Sequence, residues 1–232
     1  IATTHTQARH ALPPAVSRFR DAYPGVSLHF HQGTPLQIAE MVMDGNVDFA
    51  IATEALELYE DLAILPCYRW NRSIIVPEGH PLCTVKPLTL EAVAEHPLVT
   101  YVFGFTGRSR LDDAFAHRGL APDVVFTATD SEVIKTYVQL GLGVGIMASM
   151  AFDPDRDTGL VALDAGHLFA PSVTSIAFRR GAYLRGYMLA FIETFAAHLT
   201  PDTVEQGREA RTPAAREALF ERLGPALDRA GP

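Results

Sequence analysis

The sequence predicts an α/β protein made of two units of similar size, each a parallel sheet covered by helices on both faces. Three observations lead to this fold class. In several stretches apolar residues recur every three or four positions, which is typical of helices that bury one face. Short apolar runs of about four to eight residues lie between them and are typical of buried strands. The two kinds of segment alternate along the chain, as they do where crossover helices connect parallel strands.

The first unit follows from the spacing of its apolar residues. Ala8, Leu12, Val16, Phe19 and Ala22 form one helical stripe, and Tyr23-Pro24-Gly25 ends it. Val26, Leu28 and Phe30 alternate with polar residues, which predicts a strand. The expected order is a strand at 1–3, a helix from about Thr6 to Tyr23, a strand at Val26–Phe30, a helix from about Pro35 to Asp44 and a buried strand at Val47–Thr53.

The pattern restarts after the segment from Leu62 to Val76 and predicts the second unit. Its expected elements are a helix near Leu88–Glu95, a strand at Leu98–Tyr101, a helix from about Ser109 to Arg118, a strand at Val124–Ala128, a helix from about Ser131 to Leu140 and a strand at Gly143–Ala148. Val173–Phe178 is then expected to be a returning strand. Tyr183–His198 is expected to be an amphipathic helix whose packing partner the pattern leaves open.

The C-terminal segment from Thr200 onward carries charges of both signs and scattered alanines, which predicts a weakly specified helical tail. Leu219, Phe220 and Leu223 are the residues that offer it an apolar anchor.

Composition excludes several classes of protein. The 232 residues are 48% hydrophobic, carry a net charge of −8 and show no clustered basic residues, which argues against the whole chain lying along a nucleic acid. No window approaches the run of about 20 apolar residues that a membrane span needs. The two cysteines, Cys67 and Cys83, have neither a disulfide framework nor zinc-site spacing, and they predict buried free thiols in a reducing cytoplasm.

The junction of the first strand and the first helix carries a string of donors, Thr3-Thr4-His5-Thr6-Gln7. The first turn of a helix has unpaired N–H groups and a partial positive charge, and threonine or glutamine side chains add donors without fixed charge. These groups can hold an anion without lysine or arginine. The alternative is that Thr4 or Thr6 merely caps the helix, and the sequence leaves both interpretations open.

Two more threonines are expected at the carboxyl ends of strands, where open α/β sheets bind ligands. Thr53 ends the strand of the first unit, and Thr106 lies in Phe103-Gly104-Phe105-Thr106-Gly107, just before a helix. Each alone fits a cap or a turn. Together with Thr4, Thr6 and Gln7 they predict a pocket of donors suited to an ionised oxyanion. Thr127 and Thr129 are weaker candidates, because Asp130 better explains the start of the next helix.

Other motifs predict structure rather than chemistry. Gly141-Leu142-Gly143-Val144-Gly145 enters a strand, so a helix end followed by a close-packed strand is preferred over a dinucleotide loop. His29 and His31 have no evident third ligand, so solvent-facing histidines are preferred over a metal site. Trp70 either packs at a crossover or forms one wall of a cleft. No nucleophile or acid–base pair can be assembled, so we expect no catalytic residue, no metal and no enzyme activity.

Six stretches resemble one family, and the likeness runs from Ile1 to about Thr200. The chain is similar to the effector domains of LysR-type transcriptional regulators, in the branch that activates cysteine biosynthesis; the branch that governs sulfur-source use is the close alternative. The stretches are Ile1-Ala2-Thr3-Thr4-His5-Thr6-Gln7-Ala8-Arg9, His31-Gln32-Gly33, Gly45 to Leu56, Trp70-Asn71-Arg72-Ser73, Phe103 to Ser109 and Val133-Ile134-Lys135-Thr136-Tyr137-Val138.

The resemblance implies two Rossmann-like subdomains joined by two crossover strands, as in type 2 periplasmic binding proteins. Residues 1–70 with 174–200 would form subdomain I, residues 71–173 subdomain II, and residues 201–232 the tail. In this family an anion such as sulfate lies in the cleft between the subdomains. Its contacts carry over to Thr4, Thr6, Gln7, Thr53 and Thr106, while Trp70 matches a position near the pocket that is linked to inducer response.

The resemblance also implies partners. The expected effectors are sulfate, thiosulfate, N-acetylserine or O-acetylserine, and the expected assembly is a homodimer or homotetramer in the cytoplasm. DNA would be bound only through an N-terminal winged helix-turn-helix that this chain does not contain. The alternative function is a free-standing periplasmic-type sulfate or small-anion receptor of the same fold.

Overall fold

A computed structural model describes residues 1–104 and 108–228, and these form two compact units. Of these described residues, one unit comprises 1–69 and 173–228, and the other comprises those between 70 and 172. The elements follow in the order β1 (Ala2–Thr3), α1 (Leu12–Ala22), β2 (His31–Gln32), α2 (Pro35–Met43), β3 (Ala50–Ala52), β4 (Leu62–Trp70), β5 (Arg72–Pro77), α3 (Leu90–Ala94), β6 (Leu98–Tyr101), α4 (Arg108–His117), β7 (Val124–Ala128), α5 (Ser131–Gln139), β8 (Val144–Ala148), β9 (Leu160–Asp164), β10 (Ser172–Arg179), α6 (Gly186–Phe195), α7 (Pro201–Glu209) and α8 (Pro213–Leu227).

The first unit contains a five-stranded sheet in the order β2-β1-β3-β10-β4. β1 pairs in parallel with both β2 and β3, while the returning strand β10 runs antiparallel to β3. The sheet is therefore mixed rather than wholly parallel. The strand expected at Val26–Phe30 is wrong, because only His31–Gln32 pairs with β1. β1 offers a ladder of two residues, so the alternating segment before β2 has no strand to pair with.

Helix α6 packs on α1 in the first unit, which supplies the partner that the apolar pattern left open. The Phe19 and Phe191 rings meet edge to face with 5.3 Å between their centroids, and Phe49 stacks on Phe191 at 6.0 Å. Such aromatic pairs add about 0.5–1.5 kcal/mol each beyond the area that they bury. The apolar stripe predicted for the first helix therefore faces the core.

The first helix is not uniform along its length. A π-helical turn occupies Gln7–Ala11 and continues directly into α1, and the Leu12 N–H bonds to the Gln7 carbonyl. Two prolines, Pro13 and Pro14, follow within the first turn of α1, where a missing N–H is tolerated. The single helix expected from Thr6 to Tyr23 is thus interrupted by one wider turn.

The second unit contains a five-stranded sheet in the order β7-β6-β8-β5-β9. β6 pairs in parallel with β7 and β8, whereas β5 runs antiparallel to β8 and β9. Successive residues of β5 belong to different core clusters, Ile74 to one and Ile75 to the other. Both faces of the sheet are therefore covered, as predicted. Strand β9 was not expected from the sequence.

The glycine-rich segment after α5 has the structural role that the sequence predicted. Gly141 follows the helix with a φ of +79°, a conformation that favours glycine at a helix end. At Gly143 a Cβ atom would come within 2.3 Å of the Pro97 carbonyl oxygen, so only glycine allows this close approach. α5 itself begins at Asp130, whose carboxylate accepts a hydrogen bond from the Glu132 N–H at 3.0 Å.

A lysine of α5, Lys135, is buried in the second unit next to two carboxylates. We call Lys135, Glu132 and Asp157 the ionic cluster. The Lys135 Nζ donates to both carboxylate oxygens of Asp157 at 2.8 and 2.9 Å and to the Ala151 carbonyl at 3.1 Å. Glu132 Oε1 lies 2.7 Å from the same nitrogen. The charge is therefore compensated within its own unit.

Arg180, which follows β10, and Arg208 of α7 hold the C-terminal helices to the sheet of the first unit. The Arg180 guanidinium donates to the carbonyls of Gly207 and Ala210, at the C-terminal end of α7, where a cation is favoured. Arg208 lies with its guanidinium 5.3 Å from the Phe178 ring centroid.

Among the described residues, no helix has both the length and the apolar content that a membrane span requires.

Candidate functional site

The predicted donor residues of the first unit lie at one edge of its sheet. β1 and β3 are adjacent and parallel, so Thr4 after β1 and Thr53 after β3 lie at neighbouring carboxyl ends. β10 is antiparallel to β3, with Ser175 paired to Ala52, which brings Thr174 to the same edge. This edge is where α/β sheets bind ligands.

Gln7 is the centre of a buried hydrogen-bond network at this edge. Its side-chain amide donates from Nε2 to Thr174 Oγ1 at 3.0 Å, and the Tyr68 hydroxyl donates to its Oε1. Thr53 Oγ1 lies 3.4 Å from Thr174 Oγ1, a contact near the limit of hydrogen bonding. We call Gln7, Thr53, Tyr68 and Thr174 the neutral cluster, because none of the four side chains carries a charge at neutral pH.

Burial keeps Tyr68 in its donor form. Removal of the phenol from water raises its pKa above the usual range, and hydrogen bonds with Thr174 and Gln7 only partly oppose this. A protonated phenol has one O–H, which is donated to Gln7 Oε1. The direction of the Gln7 amide is thereby fixed, with its NH₂ group turned to Thr174. One N–H of that group has no acceptor in the described part of the chain.

Thr6 has a different environment from the neutral cluster. Its side chain is 1% exposed, and its Oγ1 makes no hydrogen bond to any described residue. It makes no capping bond either, so the geometry does not support the cap interpretation for Thr6. The buried hydroxyl is therefore an unused donor, and leaving such a group unpaired costs about 1–3 kcal/mol.

The backbone beside Thr6 offers further donors. The first helical hydrogen bond runs from the Ala8 N–H to the Thr4 carbonyl at 3.0 Å. The N–H groups of His5, Thr6 and Gln7 precede it, as in the first turn of any helix, and no acceptor for them is seen among the described residues. Free amides, a buried hydroxyl and one amide N–H of Gln7 thus belong to the same four-residue segment.

The remaining predicted site residues are placed as follows. Thr4 is buried and Thr53 is half-buried. Trp70 ends β4 with its side chain 5% exposed, and the Arg72 guanidinium lies 5.2 Å from its ring centroid. Thr106 lies outside the described residues.

Two members of the neutral cluster, Tyr68 and Thr174, were not singled out by the sequence reasoning. Tyr68 is 61 residues from Gln7 along the chain, and Thr174 is 167 residues away. One signal was available, since Thr174 is a polar residue near the start of a strand already predicted to return to the sheet. Tyr68 gave no such signal, because aromatic residues are common in buried strands.

The structure also shows the environment of the histidine pair and of the two cysteines. His29 and His31 are both exposed, and no group of three or more possible metal ligands occurs within residues 1–104 and 108–228. Cys67 is buried, and burial raises the pKa of its thiol, which makes it a poor nucleophile. Cys83 is half-buried rather than buried as expected.

Comparison with known proteins gives consistent matches. A family model described as the LysR substrate binding domain matches residues 1–200. The HTH-type transcriptional regulator CysB of Haemophilus influenzae is 56% identical over 221 residues, 95% of this chain and 68% of that protein. The HTH-type transcriptional regulator SsuR of Burkholderia cenocepacia is 54% identical over 199 residues, 86% of this chain and 65% of that protein. The chain thus spans about two thirds of the length of these curated relatives.

A solved structure confirms the predicted fold class. The cofactor-binding domain of the Cbl transcriptional regulator superposes on this chain with a TM-score of 0.84 at 46% identity, covering 88% of each chain. Two units with mixed sheets and flanking helices are therefore shared with that domain.

Proposed function

Because the chain belongs to the LysR substrate-binding domain family, we propose that it is the effector-sensing domain of a regulator of cysteine biosynthesis and sulfur assimilation. Its ligand is a small oxyanion, sulfate or thiosulfate, or the carboxylate of N-acetylserine or O-acetylserine. The regulator acts in the cytoplasm as a homodimer or homotetramer, and a further part of the whole protein contacts the promoter. The similarity to CysB, over 95% of this chain, supports the choice of branch.

One observation supports the choice of ligand: in the described part of the chain, the buried hydroxyl of Thr6 and the amides of the first helical turn have no hydrogen-bond partner. Every group offered in this segment is a neutral donor, and a fully ionised oxyanion is a pure acceptor. An anion placed there gains charge-assisted hydrogen bonds and the partial positive charge of the helix end. We propose Thr4, Gln7 and Thr53 as the other ligand contacts of the first unit. Thr106 and Trp70 are proposed from the sequence resemblance alone.

The alternative of a free-standing periplasmic anion receptor is not favoured. The two relatives, which match 86% and 95% of the chain, are both described as HTH-type transcriptional regulators. An enzyme is not favoured on the same ground.

The test is calorimetric titration of the chain and of Thr6→Val with sulfate, thiosulfate, N-acetylserine and O-acetylserine. Valine keeps the volume of threonine and deletes the hydroxyl. We expect a ten- to hundredfold loss of anion affinity, since a hydrogen bond to a charged group contributes about 1.5–3 kcal/mol. The unfolding midpoint should stay unchanged or rise, because the variant buries no unpaired hydroxyl.

Thr34→Val is the matched control in the same unit. The Thr34 hydroxyl accepts a hydrogen bond from the Gln37 N–H at the start of α2, so its loss should lower stability by about 1 kcal/mol and leave anion affinity unchanged. If Thr6→Val behaves like Thr34→Val, Thr6 is structural and the proposed site is wrong. Thr106→Val, measured alongside, tests the contact expected from the sequence.

A further inference from the structure

Trp70 and Arg72 lie where the chain passes from the first unit to the second. The first unit ends at Arg69 and resumes at Val173, so residues 70–72 and 170–172 are the two crossing segments at the limits of the second unit. Arg72 is unusual for an arginine in being only 3% exposed. A buried cation is stable only when other groups compensate its charge, so the contacts of Arg72 indicate its role.

The Arg72 guanidinium joins the two crossing segments. It lies 5.2 Å from the centroid of the Trp70 ring and 5.7 Å from that of Phe169. Nη2 donates to Ser172 Oγ at 3.2 Å, and Nη1 lies 3.4 Å from the Ala170 carbonyl oxygen. One side chain thus contacts an aromatic ring on the first crossing segment and polar groups on the second.

Only arginine can make this set of contacts at once. Its planar guanidinium can face aromatic rings while its edge donates hydrogen bonds in fixed directions. Both ring distances are within about 6 Å, where a cation–π attraction is significant, and burial strengthens the attraction by excluding water. A lysine keeps the charge but loses the planar fork, so it cannot hold the ring and the second segment together.

We propose that Arg72 is the positioning residue for Trp70, holding the indole to residues 169–172 so that the ring has one orientation in the effector response. The role of Trp70 in that response rests on the proposed function; the fixing of the ring by Arg72 does not. Arg72 need not touch the effector, because it acts through the tryptophan.

The first arm of the test needs no ligand. Trp70 is the single tryptophan of the chain, so intrinsic fluorescence reports on this ring alone. In Arg72→Met we expect the emission to move to longer wavelength and acrylamide quenching to increase. Arg72→Lys should fall between Arg72→Met and the unchanged protein. Arg110→Met is the matched control, since Arg110 Nη1 donates to the Pro171 carbonyl at 2.5 Å, on the same segment, and should leave the spectrum unchanged.

The second arm is a double-mutant cycle on anion affinity with Arg72→Met and Trp70→Phe. If Arg72 acts through Trp70, Arg72→Met weakens binding by about two- to thirtyfold, the equivalent of one cation–π contact. It then has no further effect once Trp70 is replaced. A purely structural role would instead give additive losses in the cycle and would be shared by Arg110→Met.

The outcomes separate the two proposals. No heat from any anion with the unchanged chain overturns the proposed function, while the fluorescence arm still decides whether Arg72 fixes the ring. Unchanged emission and quenching in Arg72→Met overturn the positioning role whatever the chain binds. Binding with additive losses in the cycle shows that Arg72 does not act on the effector through Trp70.

Discussion

The neutral cluster of the first unit and the ionic cluster of the second bury polar groups in opposite ways. Every contact of the Lys135 ammonium is to an oxygen of its own unit, and Asp157 Oδ2 also accepts the Asp153 N–H at 2.8 Å. Beside the neutral cluster, the hydroxyl of Thr6 has no hydrogen-bond partner within residues 1–104 and 108–228. A buried charge without partners costs several kcal/mol, whereas an unpaired hydroxyl costs about 1–3 kcal/mol. A buried donor that is left open for a ligand therefore costs less stability when it is neutral than when it is charged.

Breaking the ionic cluster should give the largest loss of stability. Lys135→Met leaves the Asp157 carboxylate buried without its cation, and we expect the free energy of unfolding to fall by about 3–5 kcal/mol. Urea denaturation measures this loss. Arg156→Met is the control, because its ion pair with Asp153 is exposed and contributes at most about 1 kcal/mol. A loss as small as that of the control would contradict the compensation inferred for Lys135.

Removing the Tyr68 hydroxyl from the neutral cluster should lower the free energy of unfolding less than breaking the ionic cluster does, but it should also weaken anion binding. Tyr68→Phe removes the donor to Gln7 Oε1, leaving a buried acceptor unpaired and the amide free to turn. We expect a loss of about 1–3 kcal/mol in unfolding free energy together with weaker anion binding. Tyr183→Phe, at a side chain 84% exposed, should change neither by more than about 0.5 kcal/mol. Unchanged anion affinity in Tyr68→Phe would separate the cluster from the ligand site.

The neutral cluster should also be sensitive to alkali. Burial raises the pKa of Tyr68, so above about pH 10 the unfolded chain loses the phenolic proton while the folded chain keeps it. Stability from this group is complete below pH 10 and falls as the pH rises toward the folded-state pKa, by up to about 1.4 kcal/mol per pH unit. The free energy of unfolding of the unchanged protein should thus fall more steeply there than that of Tyr68→Phe. Parallel curves for the two proteins would show that the phenol titrates alike in both states.

Much of the second unit was predictable because its elements are bounded by local signals. β6 and β7 have the predicted limits, and α5 begins at its Asp130 cap and ends before Gly141. The antiparallel strand β9 was missed because pairing with β5 is a long-range property. Val26–Phe30 failed for a related reason, since alternation predicts which face of a strand is buried but not whether a partner of sufficient length exists.

The candidate site also contains residues that local sequence predicts and residues whose positions depend on the whole fold. Thr4, Thr6 and Gln7 were predictable because one segment carries both the strand end and the helix start, which is local information. Tyr68 and Thr174 come from strands β4 and β10, whose places in the sheet depend on the whole fold. The sequence therefore predicts the donors of the proposed site better than the groups that hydrogen-bond to them.

The wide turn at Gln7–Ala11 has a consequence for deletions in this chain. A π turn contains one residue more than an α turn and typically arises from a single insertion. Loss of that residue would rotate everything after it by about 100° about the helix axis, so Leu12 and Phe19 would leave the core if Thr6 and Gln7 kept their places. The extra residue thus allows Thr6 and Gln7 to keep their positions while the apolar side chains of α1 still face the core. A deletion of one residue here would therefore displace either the proposed site residues Thr6 and Gln7 or the apolar face of α1.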